Sequence, residues 1–194
     1  MHDQRSPAPG RPLPGGGDAL MLAVRSCAVS LEVFMHRDFG ERYLGPQAAF
    51  AFPLVLIYSL LWGGDDATAM HYFLGAYAVF FVGARSAAVA RRRRGGQVHS
   101  YYCGWPLVMR LLPARDELKV KSKIEPLLAA TIGFLLLSAA PSLGLYIVIG
   151  SLCLVAKTDE QIKAERETMF DLNDAVLEQE WRAERFRGMH RDRR

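Results

Sequence analysis

The sequence predicts an all-α integral membrane protein. It consists of two helical hairpins giving four membrane helices, an N-terminal amphipathic helix and a long C-terminal cytoplasmic helix. Three observations carry that prediction. First, 51% of the 194 residues are hydrophobic while 23% are charged, and the apolar residues are bunched into three long stretches between Gln47 and Ala156. Second, the 31 residues from Pro126 to Ala156 contain no charged side chain. Third, the charges gather at the two ends and in one central loop. This pattern excludes a disordered chain, a secreted disulfide scaffold and a nucleic-acid-binding module with a basic tail.

Residues 1–17 hold four Pro and four Gly with almost nothing to bury and are expected to form a disordered leader. Asp18 stands at an N-cap position, and Leu20, Val24, Cys27, Leu31 and Phe34 follow at helical spacing. Arg25 and Glu32 inside this helix are costly at a bilayer centre. Residues 18–45 are therefore expected to form an interfacial helix, or one packed on the protein's own spans, leading by a Gly- and Pro-broken approach to the first span.

The first hairpin is expected over 46–90. Its first span runs from Pro46 to Trp62, with Pro53 inside it, and is about 25 Å long. Gly63-Gly64-Asp65-Asp66 forms a polar turn, and the second span follows from Ala67 to Ala90. Arg85, near its end, snorkels to the head groups because no acidic residue lies in 46–62, 67–90 or the apolar run 126–156 to pair with it. The third apolar stretch is too long for one crossing, at about 46 Å. Ala139-Ala140-Pro141-Ser142 breaks it, so residues 124–157 form a second, shorter hairpin that either crosses twice or dips in and returns from one face.

Charge orients the hairpins. The loop 91–123 has nine basic residues against Asp116 and Glu117, and the short turn has Asp65 and Asp66. The positive-inside bias places the loop and both termini in the cytoplasm, and the compartment expected is a bacterial inner membrane. Arg91, Arg92, Arg93 and Arg94 are expected to meet anionic lipid head groups.

The loop segment His99–Pro106 brings a base, two tyrosines and a thiol together. An enzymatic reading, directed at a lipid substrate, would rest on His99 and Cys103 as base and nucleophile. No third residue orients that pair, and Tyr101, Tyr102 and Trp105 equally suit a membrane-hugging loop. Cys27, Cys103 and Cys153 lack the spacing of a metal or redox motif. No metal, cofactor or nucleic acid is expected.

Residues 158–194 carry the clearest interaction signal. Thr158 and Gln161 fit a capping box opening a new helix, and no Pro or Gly follows before Gly188. Ile162, Met169, Val176 and Ala183 repeat every seven residues, with Leu172 and Phe186 at complementary positions and Glu165 and Gln179 interrupting them. Phe170, Leu177 and Trp181 form a second stripe. One helix cannot bury both stripes alone, so Ile162, Met169, Phe170, Leu172, Val176, Leu177 and Trp181 are expected to contact a second copy, a membrane-associated partner or the protein's own N-terminal helix. The expected function is that of a non-enzymatic membrane scaffold or assembly component. Membrane shaping by the short hairpin and lipid-directed catalysis in the loop are the alternatives.

Overall fold

The computed structural model describes residues 16–40, 42–62, 66–95, 102–110 and 116–191. The chain is mostly helical. Helix α1 (Gly16–Met35) leads into a two-residue strand β1 (His36–Arg37), which is followed by α2 (Pro46–Trp62) and α3 (Asp66–Arg93). Strand β2 (Trp105–Pro106) continues into a single 3-10 turn, Leu107–Arg110. A helical rod follows, made of α4 (Glu117–Lys119), a π-helical stretch (Val120–Ile124) and α5 (Glu125–Leu136), and α6 (Pro141–Arg191) completes the chain.

The first hairpin has the bounds its apolar pattern demands. Pro46 opens α2, where a missing N–H costs nothing, and Pro53 lies inside that helix. The second hairpin turns at residues 137–140, and Pro141 starts α6. Its two helices approach until backbone meets backbone. A Cβ on Gly144 would lie 2.7 Å from the Leu137 nitrogen and 2.8 Å from the Gly133 carbonyl oxygen, so only glycine permits this spacing. The π-helical stretch lies just ahead of Pro126, whose ring would otherwise clash with the carbonyl four residues earlier. The rod is thereby continuous through the proline.

Two expectations are decided by the structure. Of the two placements expected for α1, interfacial or packed on the protein's own helices, it takes the second, and every residue from Ser26 to Val33 is buried. It packs against α2, α3 and α6 and supplies residues to all three hydrophobic clusters. Its small residues explain the fit: Ser26, Ala28 and Ser30 let neighbouring helices close over a face that the sequence pattern leaves polar. The tail brings a correction. Thr158 caps nothing, since α6 runs unbroken from Pro141 to Arg191, about 77 Å at the usual rise.

Among the described residues, two helices are long and apolar enough to cross a membrane, within Ala67–Arg93 and Pro141–Arg187, and Pro46–Trp62 is a shorter apolar helix. Large apolar side chains on α2, α3, α5 and α6 are bare, including Leu61, Val79, Leu127, Leu135 and Leu152.

Candidate functional site

The buried charges of the bundle collect at one end, where α2 and the rod begin and α3 ends. Three linked groups of side chains build this region.

The first centres on Lys157, the first charge after the 31-residue apolar run. Its Nζ donates to both Glu32 oxygens, at 2.7 and 2.6 Å, and to the Tyr43 hydroxyl, which in turn donates to Glu32. Lys157 and Glu32 side chains are 4% and 6% exposed, so the ion pair is desolvated. Burial alone would raise the Glu32 carboxyl. The Lys157 and His36 charges, together with hydrogen bonds from Lys157 and Tyr43, outweigh it and hold the group below the usual carboxylate range. Burial and the facing Glu32 carboxylate push the Tyr43 phenol well up, so it stays a donor.

The second group is His36 with Glu125, 2% and 3% exposed. Strand β1 pairs antiparallel with β2, His36 opposite Pro106, and this brings Cys103 beside the imidazole. His36 Nδ1 lies 2.8 Å from the Cys103 carbonyl oxygen, which can only accept, so the geometry assigns a proton to Nδ1. Nε2 lies 2.9 and 2.8 Å from the two Glu125 oxygens. A second proton therefore sits between imidazole and carboxyl. Gly104 makes the strand contact feasible: its φ is +92°, and a Cβ there would lie 2.7 Å from the Arg37 carbonyl oxygen.

The third group covers the second. Lys121 Nζ donates to Glu117 at 2.5 Å and to the Cys103 sulfur at 3.1 Å, and the Tyr102 hydroxyl donates to Glu117 at 2.8 Å. Burial opposes the Lys121 charge, but Cys103 and Glu117 hold its pKa above the ordinary value. Glu117 is partly desolvated, yet the bonds from Lys121 and Tyr102 bring it below the ordinary range. Burial raises the Cys103 thiol despite the nearby ammonium, and the Tyr102 phenol is pushed up to about 12 by burial and its bond to Glu117. Among the described residues, no buried side-chain nitrogen or oxygen lacks a partner. These groups form a satisfied lock joining α1, the β1–β2 segment, the rod and α6.

The positions singled out from the sequence are distributed differently. His99 lies outside the described residues, and the imidazole that meets Cys103 is that of His36, through the backbone carbonyl. A raised thiol is the opposite of an activated nucleophile, and Cys103 packs half-buried against the cluster that holds Phe39 and Tyr43. Arg91 is drawn inward, its guanidinium 3.3 Å from the Phe39 carbonyl and 3.4 Å from Asp38. Arg92, Arg93 and Arg94 continue along the end of α3 and the turn after it. On the tail, Ile162 is half-buried, and a shallow groove of about 470 Å³ lies among Leu118, Ile162, Met169 and Phe170. Beyond it Leu172, Val176, Leu177 and Trp181 are exposed. The stripes do not pack on α1, whose last ion pair with α6 is Arg25–Glu160, at 2.5 and 3.0 Å. No group of three His, Cys, Asp or Glu among the described residues could hold a metal ion.

Sequence reasoning missed Glu32, His36, Tyr43, Lys157 and Glu125 as a set. Two signals were available: Glu32 and His36 are polar groups four positions apart where the apolar helix ends, and Glu125 and Lys157 bracket the charge-free run.

No protein-family model, no curated protein and no solved structure matches this chain.

Proposed function

We propose that this protein is a non-enzymatic, multi-pass membrane scaffold that docks a protein partner through its C-terminal helix. The bare apolar side chains of the two hairpins support placement in lipid, and the basic segment 91–123 supports a cytoplasmic loop with both termini on that side. We assign it to a bacterial inner membrane, with the first hairpin crossing and the second, shorter one crossing twice or returning from one face.

The observation that carries the reading is the projecting part of α6. From Thr158 to Arg191 it extends about 50 Å, and Met169 and Phe170 are each 70% exposed and Trp181 64% exposed. An isolated helix in water needs its apolar stripe covered. Charge selects the occupant. Residues 159–184 hold nine acidic and three basic side chains. Two parallel copies would set Glu165 against Glu165 in the seam and Arg182 against Arg187 beside it, which disfavours self-pairing. The occupant that fits is a protein presenting an apolar groove rimmed by basic residues.

A photo-crosslinking residue placed at Leu177, and separately at Glu167, tests this in native membranes. The expected result is a heterologous adduct from 177 only, mapping to a basic-rimmed groove on the partner, lost with Leu172→Asp and weakened at 0.5 M salt. An adduct of twice the chain's own mass would replace the partner with a second copy. Equal labelling from both sites, or none, would refute docking.

A further inference from the structure

We propose a binding site for a phosphate ester, of the kind carried by an anionic phospholipid, in the cavity where α1, the start of α2, α3 and α6 meet. The proposal rests on the membrane placement above but not on the tail. The cavity holds about 670 Å³ and is lined by Arg25, Arg42, Arg85, Lys157, Tyr43 and the opening residues of α2. Four cations face one space, and their compensation is incomplete.

Glu160, also on the wall, takes Arg25 in a bidentate pair, and Glu32 behind the wall takes Lys157. Arg85 donates one N–H to the Leu44 carbonyl, at 3.1 Å, leaving four of its five donors for other acceptors. Neither Arg42 nor Arg85 meets a carboxylate among the described residues. Among the described residues, the wall therefore holds two guanidinium groups with no carboxylate partner, the side chain best matched to a phosphate's paired oxygens.

The start of α2 adds to this field. Gly45 has no side chain to cap the first turn, and Pro46 has no N–H. The amides of Gln47 and Ala48 open the helix without an intrahelical acceptor, with the positive end of the helix behind them. Phe50 lies one turn further along α2, and Val82 three residues before Arg85, both exposed. An acyl chain attached to a phosphate in the cavity would have apolar surface beside it. That favours a phosphodiester lipid over a soluble phosphate compound, although both share the chemistry recognised.

The site differs from the arginine run at 91–94, whose expected attraction is diffuse. The full chain, purified in a mild uncharged detergent, is titrated with phosphatidylglycerol, phosphatidylcholine and sn-glycerol 3-phosphate, with the shift in unfolding temperature as readout. Arg42→Gln is the principal variant because the residue is exposed and its side chain bonds to none of the described residues. Arg85→Gln is the second, and Arg93→Gln is the control for diffuse charge.

Phosphatidylglycerol should raise the wild-type transition and phosphatidylcholine should not. Its midpoint should move about tenfold higher in Arg42→Gln and in Arg85→Gln, as expected for one lost charge-assisted contact, and stay unchanged in Arg93→Gln. Saturation by sn-glycerol 3-phosphate, lost in the same two variants, would support the phosphate site and transfer it to a soluble ligand. An unchanged midpoint in Arg42→Gln, or equal weakening in Arg93→Gln, would overturn the proposal. Washing membranes with alkaline carbonate tests placement separately. Protein released by the wash would refute the membrane reading, whatever the titration shows.

Discussion

Replacing Lys157 by Met should destabilise the bundle strongly, and further replacement of its partners should restore it. The single change deletes the ammonium shared by both Glu32 oxygens and the Tyr43 hydroxyl, leaving a carboxylate with one donor in a desolvated site. At 4% and 6% exposure, the pair belongs with buried ion pairs. Loss of one partner there costs about 3–5 kcal/mol, against at most about 1 kcal/mol for a solvent-exposed pair. At about 2–4 °C per kcal/mol for a chain of this size, the transition should fall by roughly 6–20 °C. The double variant Glu32→Met/Lys157→Met removes the stranded charge and should recover most of that loss. It still leaves the Tyr43 hydroxyl without its acceptor, a residual of about 1–3 kcal/mol that Tyr43→Phe should then remove. Intrinsic tryptophan fluorescence during heating, in one detergent, measures these proteins together with the Glu32→Met single variant, and the cycle of wild type, two singles and double yields the coupling energy directly. A double variant as unstable as Lys157→Met, or a single variant losing less than about 1 kcal/mol, would refute the reasoning.

Acid should loosen the same region. Glu32 and Glu117 are held below the ordinary carboxylate value in the folded protein, so their contribution is complete above about pH 4.5 and is lost as pH falls through the folded values. A Glu32→Gln variant should show a flatter stability profile on that side. In base the sign reverses for Tyr102, raised to about 12: its contribution is present below its ordinary value near 10 and declines as pH rises towards 12, which ultraviolet titration of the phenolate would follow. Gly144→Ala should cost about 1–3 kcal/mol by forcing the second hairpin apart, seen as a lower transition temperature. Cys103 should react with a maleimide at pH 7.5 more slowly than a free cysteine, since its thiol is raised, and Cys103→Ser should leave partner crosslinking at 177 unchanged.

The hairpins were legible because lipid-facing and buried positions both demand apolar residues, and length alone then divides the run at Pro141. For α1 the sequence left two placements open, because its burial rests on small residues. Ser26, Ala28 and Ser30 carry little hydrophobic signal, yet they let Tyr146 reach the Ser30 hydroxyl, 2.8 Å from its own. The charge pairs were harder still: Glu32 with Lys157 and His36 with Glu125 join residues 125 and 89 positions apart, and nothing local in the sequence states a pairing at that range. Thr158 misled for the converse reason. Its capping chemistry is real locally, but Lys157 is already anchored on α1, and the helix has no cause to stop. The positions of the tail stripes, by contrast, follow from spacing alone, and Met169, Phe170, Leu172, Val176, Leu177 and Trp181 are exposed on α6.

The unbroken course of α6 makes it a shaft with no joint. Lys157, on the helix that continues into Met169 and Trp181, is clamped to Glu32 and Tyr43, so the azimuth at which the tail offers its two stripes is set inside the bundle. A load that twists the tail has no hinge in which to dissipate before reaching that clamp. The direction in which the two stripes face and the integrity of a buried ion pair are thereby settings of a single mechanical part.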